Sequence, residues 1–447
     1  MRRVVQIEAP WCDPAQALAA LAGEAWSLCL LSGGGGLRGR WSYLAARPQR
    51  VLVVEADDAA DPLAALADLI PEGEMLAEGP PFQGGVVGLA TYELGGRAQG
   101  LGLAPHRDWP HLAAGLYPAV LAFDHRDQRL LAIGRGEGED QARGRAQDLL
   151  AALGAPNRTA PGRLAGPMTA SSGQAYEAAV AEVVGRIAAG EIFQANVARR
   201  WTGDLAAGAT PYDLFARLAQ RSAAPFAAYL RLPGRAVVSN SPERFVALRR
   251  GADGLTAETR PIKGTRPRGV DATQDAALAA ELLASAKDRA ENLMIVDLMR
   301  NDLARVCRPG TVKVPDLFAI ESFANVHHLV STVTGRMQAG RGGADLLQAA
   351  FPPGSITGAP KIQAMKVIEG LEPPRGPYCG SIFWAGVDGA FDSSVLIRTA
   401  ACVETPEGWR VEARAGAGLV ADSDPVAERL ETEAKISAIL AALSSDP

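Results

Sequence analysis

Strand-length runs at Gly380–Val387, Ser394–Val403 and Trp409–Ala415 follow one another with only a few turn-forming residues between them. Parallel neighbours need a crossover of a dozen or more residues, most often a helix. Consecutive runs this closely spaced therefore pair antiparallel if they pair at all. The same economy recurs earlier in the chain. Tyr117–Phe123 and Arg129–Ile133 flank a short turn, and Pro225–Arg231 is followed at once by Arg235–Ser239. Strands outnumber the helical crossovers available to them. The expected fold class is α+β, antiparallel β-sheets with outer helices, and not a doubly wound parallel sheet.

At 447 residues the chain exceeds one ordinary hydrophobic core. Gly154–Ala170 carries three prolines and three glycines without periodicity and reads as a linker. It divides the chain into an N-terminal α/β domain, 1–160, and a second domain, 171–445. Helical patterns cover Ala15–Ala22, Pro62–Ile70, Glu139–Leu153 and, from Ser172, a stretch to Ala189. Thr273–Arg305 is helical throughout but long for a globular helix, so a break is expected at 285–288. The glycine run after Ser32 lacks any following Gly-Lys-Ser/Thr and reads as a hairpin loop, not a phosphate loop.

The net charge of −5, from 45 basic and 50 acidic side chains, leaves no footprint for nucleic acid or an anionic membrane. No apolar run reaches the roughly 18 residues of a membrane span. Glu8 comes too early for a signal peptide. Cys12, Cys29, Cys307, Cys379 and Cys402 are scattered, with no Cys-x-x-Cys pair, as expected for reduced thiols in the cytoplasm.

Several groups of residues could carry chemistry. In Arg260–Gly269 a single lysine, Lys263, stands between Pro261 and Pro267 with Gly264 and Thr265 directly after it. Proline fixes φ and stiffens its neighbours, so Lys263 is held on a short, rigid segment. A lysine held this way can act as a nucleophile. Glu428, Glu431 and Lys435 fall on one face of a C-terminal helix, and Asp288 and Glu291 on one face of the long middle helix. Carboxylates so placed either form helix salt bridges or hold magnesium, which takes oxygen ligands and leaves positions for substrate. Arg398, in an apolar strand, calls for a carboxylate or phosphate partner. Ala415–Gly418 reads as a small-residue turn, and Gly354–Lys361 as a helix start; both offer backbone N–H groups to an anion. Of His327 and His328, only one can face a given site from a strand. Together these describe a pocket for a small polyanion. No Gly-x-Cys-x-Gly nucleophile motif is present, so the chain does not itself release ammonia from glutamine.

Pro261–Arg268, Lys287–Leu298, Gly354–Lys361 and Ala415–Ser423, in that order, resemble the chorismate-utilising enzymes. The resemblance covers about 171–441 and reaches the N-terminal half through Phe82–Glu93. It implies the fold of anthranilate synthase component I, a large α+β composite of antiparallel β-sheets sandwiched by outer helices. Within the family, Pro-Ile-Ala-Gly-Thr is similar to the anthranilate-forming members and Pro-Ile-Lys-Gly-Thr, as at 261–265, to those forming 4-amino-4-deoxychorismate on the route to para-aminobenzoate and folate. It further implies that Lys263 adds at C2 of chorismate, that Glu243, in Ser-Pro-Glu-Arg-Phe, is the general acid for the C4 hydroxyl, and that His328 stands near that hydroxyl. Gly264, Thr265, Gly358, Tyr378, Arg398, Gly416, Ala417, Gly418 and Lys435 match substrate-contacting positions. Glu291 and Glu431 match ligands of Mg2+, with Glu428 close by. Ammonia would come from a separate glutamine amidotransferase subunit. The alternative is conversion of chorismate to anthranilate and pyruvate. Isochorismate- and salicylate-forming members carry a lysine where Phe193–Val197 has none.

Overall fold

The computed structural model describes residues 3–33, 39–154, 162–323 and 326–444. Gly34–Gly36 of the glycine run and the linker's 155–161 lie outside the described residues. Two large sheets, one of twelve strands and one of ten, form the body of the protein. Every strand pair in them is antiparallel, as the close spacing of the runs requires. Helices pack outside the sheets, and the expected α+β composite is the one observed.

Eight elements build the region of interest. They are strands β1 (Gln194–Asp204), β2 (Ile262–Pro267), β3 (Val326–Arg336) and β4 (Gly408–Leu419), and helices α1 (Ala272–Ala284), α2 (Ala286–Ala304), α3 (Lys361–Leu371) and α4 (Pro425–Ser444). The expected break in the long helix falls at Ser285, which ends α1 and caps α2. Its hydroxyl accepts from the Asp288 N–H at 3.3 Å. Asp424 caps α4 in the same way, accepting from the Ala427 N–H at 2.8 Å, with Pro425 in the first turn.

The 380–415 region is not a three-stranded meander. Ser381–Gly386 and Phe391–Ser394 belong to the ten-stranded sheet, whereas Thr399–Thr405 and β4 belong to the twelve-stranded one. The chain changes sheets across Val395–Arg398. Arg398 therefore stands in a bend, not in a strand, with φ of 51°. Apolar runs record burial but not which sheet supplies it, so this switch left no mark in the pattern. Ala415–Gly418 is likewise no turn: it lies inside β4, with Gly418 opposite Asn196 and Gly416 opposite Ala198 of β1. A Cβ at Gly416 would come within 2.7 Å of the Val197 carbonyl oxygen, so its smallness serves sheet packing.

Both sheets draw strands from either side of 160–171. Leu28–Leu31 pairs with Phe226–Leu232 in one, and Gly85–Ala90 with Ser381–Gly386 in the other. One apolar cluster joins Leu28, Tyr43 and Phe82 to Leu230, Val237 and Trp384. Helix Tyr92–Ala98 escaped the sequence reading because Gly95 and Gly96 disfavour a helix. Gly95 is there because a Cβ would collide with the ring of Pro352. Among the described residues no helix is long and apolar enough to cross a membrane. All five cysteines are free.

Candidate active site

A cavity of about 510 Å³ opens where the ends of β1, β2, β3 and β4 meet α2 and α4. All of the catalytic, substrate-contacting and metal-holding positions implied by the resemblance line it except two. Ala417 turns its side chain to the opposite face of β4, into an apolar cluster with Tyr176, Val180 and Val197. Gly358 pairs with Ala195 at the edge of the sheet and supports the wall from behind. For Ala417, the sequence neighbours Gly416 and Gly418 face the cavity instead, as strand alternation dictates.

Lys263 owes its direction to β2. The pairing of β2 with β3 is irregular between Ile262 and Thr265, and Gly264 takes φ of 84° there. Such a bulge re-aims a side chain. A Cβ at Gly264 would stand 2.8 Å from Leu282 Cδ1 and 2.9 Å from Asp288 Cγ, because α1 and α2 press against the strand. The rigid segment expected around Lys263 is thus a bulged strand held by two helices. Lys263 Nζ reaches to 3.5 Å from Glu291 Oε2. A Cβ at Gly418 would lie 3.0 Å from that nitrogen, so the glycine leaves the lysine its room.

Glu243 is buried, and its Oε1 accepts from the Ser355 hydroxyl at 2.8 Å. Burial pushes its pKa up to about 7, partly opposed by that hydrogen bond and by the charge of Lys263. His328 lines the cavity with Nδ1 2.9 Å from Thr265 Oγ1. Burial and the neighbouring Arg398 push it down to about 4, so the imidazole is neutral at physiological pH. His327 points the other way, to Asp275 at 3.0 Å and Ser322 at 2.8 Å. Arg398 is exposed, but toward the cavity; surrounding protein lowers its pKa, and among the described residues no carboxylate offsets this. A guanidinium so placed can take an anionic ligand.

The carboxylates are partly engaged with one another's neighbours. Glu431 Oε1 is 2.6 Å from Lys435 Nζ, which also donates to the Gly416 carbonyl at 2.9 Å. Pairing of β4 with Thr399–Thr405 ends at Ala413, which leaves that carbonyl free to accept. Glu428 accepts from the Ser423 hydroxyl at 2.6 Å; burial and, to a lesser degree, the charge of Glu431 raise its pKa. Among the described residues no three His, Cys, Asp or Glu side chains stand together closely enough to hold a metal ion by themselves.

The sequence reading missed several lining groups, among them Ser355, Lys287 and Asn196. Beside the cavity, Gln194 has neither amide atom hydrogen-bonded among the described residues, and Asn196 Oδ1 is equally unpartnered. The Gln194 amide nitrogen would lie 3.2 Å from a Cβ at Gly418. Two amides at i and i+2, on one face of β1, were a readable signal of a polar wall. Ser355 gave none, because its partner is remote in sequence.

A family profile described as chorismate binding enzyme matches residues 29–441. The chain belongs to this family. Members similar to it include aminodeoxychorismate synthase component 1 from Klebsiella aerogenes, 39% identical over 98% of this chain and 99% of that protein. Anthranilate synthase component 1 from Streptomyces coelicolor is 40% identical over 90% of this chain and 81% of its own. The solved structure of anthranilate synthase component I from Streptococcus pneumoniae superposes with a TM-score of 0.78 at 26% identity, covering 91% of this chain and 93% of the other. The fold expected from the resemblance is therefore that of the family.

Proposed function

We propose that the protein is component I of an aminodeoxychorismate synthase, converting chorismate and ammonia to 4-amino-4-deoxychorismate. The observation that carries this reading is Lys263, an amine projecting into the same cavity as Glu243 and His328. Relatives named for that activity match most of the chain. In the proposed reaction, Lys263 Nζ forms a bond to C2 of chorismate, the two ring double bonds shift, and the C4–O bond breaks. Glu243 gives its proton to the departing hydroxyl, which leaves as water. A pKa near 7 keeps a large share of Glu243 protonated at neutral pH, as this role demands. Ammonia then bonds to C4, the ring double bonds shift back, the C2–N bond breaks to return the electron pair to Lys263, and the new ammonium gives a proton back to Glu243. His328, neutral and fixed by Thr265, accompanies the hydroxyl. Arg398 takes a substrate carboxylate.

Glu291 and Glu431, with Glu428 beside them, are the residues that would hold Mg2+. The donors are all oxygen, and two of the carboxylates, Glu428 and Glu431, are near enough to repel. That suits an ion which takes one or two protein carboxylates and fills its shell with water and substrate oxygens. Magnesium, when bound, would supply positive charge for a substrate carboxylate. The word component in the relatives' names, and the lack of a glutaminase motif here, support a separate glutamine amidotransferase as the ammonia source. A cytoplasmic setting, with thiols kept reduced, belongs to the same reading.

The Streptomyces coelicolor relative favours a second reading, an anthranilate synthase component I. Incubation with chorismate, magnesium and ammonium, followed by identification of the product, decides between them. The expected product is 4-amino-4-deoxychorismate with its enolpyruvyl group intact; anthranilate with free pyruvate would establish the second reading.

A further inference from the structure

Ser355 lies in a single 3-10 turn, Gly354–Ile356, that is clamped on every side. A Cβ at Gly354 would collide with Leu298 of α2. The Asn196 N–H of β1 donates to the Thr357 carbonyl at 2.7 Å, and Arg375 Nη1 donates to the Ile356 carbonyl at 3.1 Å. The Thr357 hydroxyl closes the turn onto the Pro353 carbonyl at 2.7 Å. From this fixed turn the Ser355 hydroxyl donates to Glu243 Oε1 at 2.8 Å, with both residues buried. Among the described residues it is the one side-chain hydrogen bond that this carboxyl receives.

We infer that Ser355 is a positioning residue for the proton transfer: by holding Oε1 as acceptor it places the transferable proton of Glu243 on Oε2, the oxygen left to face the departing hydroxyl. The inference rests on the assignment of Glu243 as general acid and adds the group that orients it. A neutral carboxyl carries its proton on one oxygen, and the other is a carbonyl-type acceptor. A hydroxyl fixed beside one oxygen therefore selects which of the two protonated forms is populated. The bond spans two elements far apart in sequence, the Gly354–Ile356 turn and the segment ahead of the Arg244–Gly251 strand, so the acid is aimed by the fold.

The same bond has a titration signature. A donor to a carboxylate stabilises the ionised form, so its loss leaves the acid protonated to higher pH. The other ionisable groups lining the site are Lys263 and Arg266 from β2, Lys287, Asp288 and Glu291 from α2, His328 from β3, Arg398 from the bend, Arg414 from β4 and Tyr378, with the charged face of α4 completing the wall. None of these changes when Ser355 is replaced.

The test is the pH profile of kcat/KM for product formation from chorismate and ammonium in wild type, Ser355→Ala, Ser355→Thr and Glu243→Gln. Wild type loses activity as pH rises through the acid's pKa. Ser355→Ala is expected to lower the plateau kcat by about tenfold, part of what a general acid contributes. Its alkaline limb should move up by about half to one pH unit. Ser355→Thr, which keeps the hydroxyl, should return the limb to the wild-type position. An unmoved limb in Ser355→Ala, or a Thr variant that behaves like Ala, overturns the role of Ser355 while the acid assignment stands. A wild-type limb that persists in Glu243→Gln overturns the acid assignment beneath it.

Discussion

A lysine that attacks carbon does so as the free amine, and in water a lysine with pKa of about 10.4 is almost wholly protonated at neutral pH. Lys263 has Glu291 at 3.5 Å and Glu243 near enough to feel its charge, so a proton has places to go within the cavity. Lys263→Ala is expected to abolish 4-amino-4-deoxychorismate formation. Intact-mass analysis of wild type quenched with chorismate but without ammonia should show a covalent adduct that the variant lacks; full activity in the variant would sink the nucleophile assignment. Glu243 makes a stability prediction. Its folded pKa of about 7 lies above the ordinary 4.5, so between those values the folded state binds more protons than the unfolded one. Stability is then fully present below about 4.5 and is lost as pH rises through 7. Glu243→Gln should melt above wild type at pH 8 and level with it at pH 4; equal melting at pH 8 would show that the buried carboxylate costs the fold nothing. Lys263 was legible in the sequence because Pro261, Gly264 and Pro267 crowd around it. What surrounds it was not, since Gly418, Glu291 and Leu282 reach it only through tertiary packing.

At the scale of elements, local signals were read well and switches between elements poorly. Ser285 announced itself as a break because a polar stretch interrupts a helix too long to be single, and Asp424-Pro425 announced α4. The face carrying Glu428, Glu431 and Lys435 followed from helical spacing alone, and all three line the cavity. Arg398 was read as a strand residue because Val395–Ala401 is apolar, whereas the chain there leaves one sheet for the other. Ala415–Gly418 was read as a turn because small residues favour turns, whereas here they admit β1 at close range. The α4 face supports a test of the metal. The Glu431 side chain is about half exposed, so its charge contributes little to the fold. Glu431→Gln should raise KM for chorismate at least tenfold while leaving the melting temperature unchanged. Excess EDTA should silence wild type, and added magnesium should restore it; normal kinetics in EDTA would remove the metal from the reaction.

On the scale of the molecule, each sheet is completed by strands from both halves of the chain, which no window of local sequence could show. Residues 1–160 expressed alone should therefore lack a cooperative melt, and co-expression with 171–445 should restore one; a monomeric, cooperatively melting fragment would show that the N-terminal half closes its own core. The pairing of Gly85–Ala90 with Ser381–Gly386 has a further consequence for the chain as it leaves the ribosome. That partner is made about 290 residues after Gly85–Ala90 itself. At roughly 5–20 residues per second, the nascent protein carries an unpaired hydrophobic edge for on the order of tens of seconds. Its yield in a cell is therefore set by whatever shields that edge during translation as much as by the stability of the finished fold.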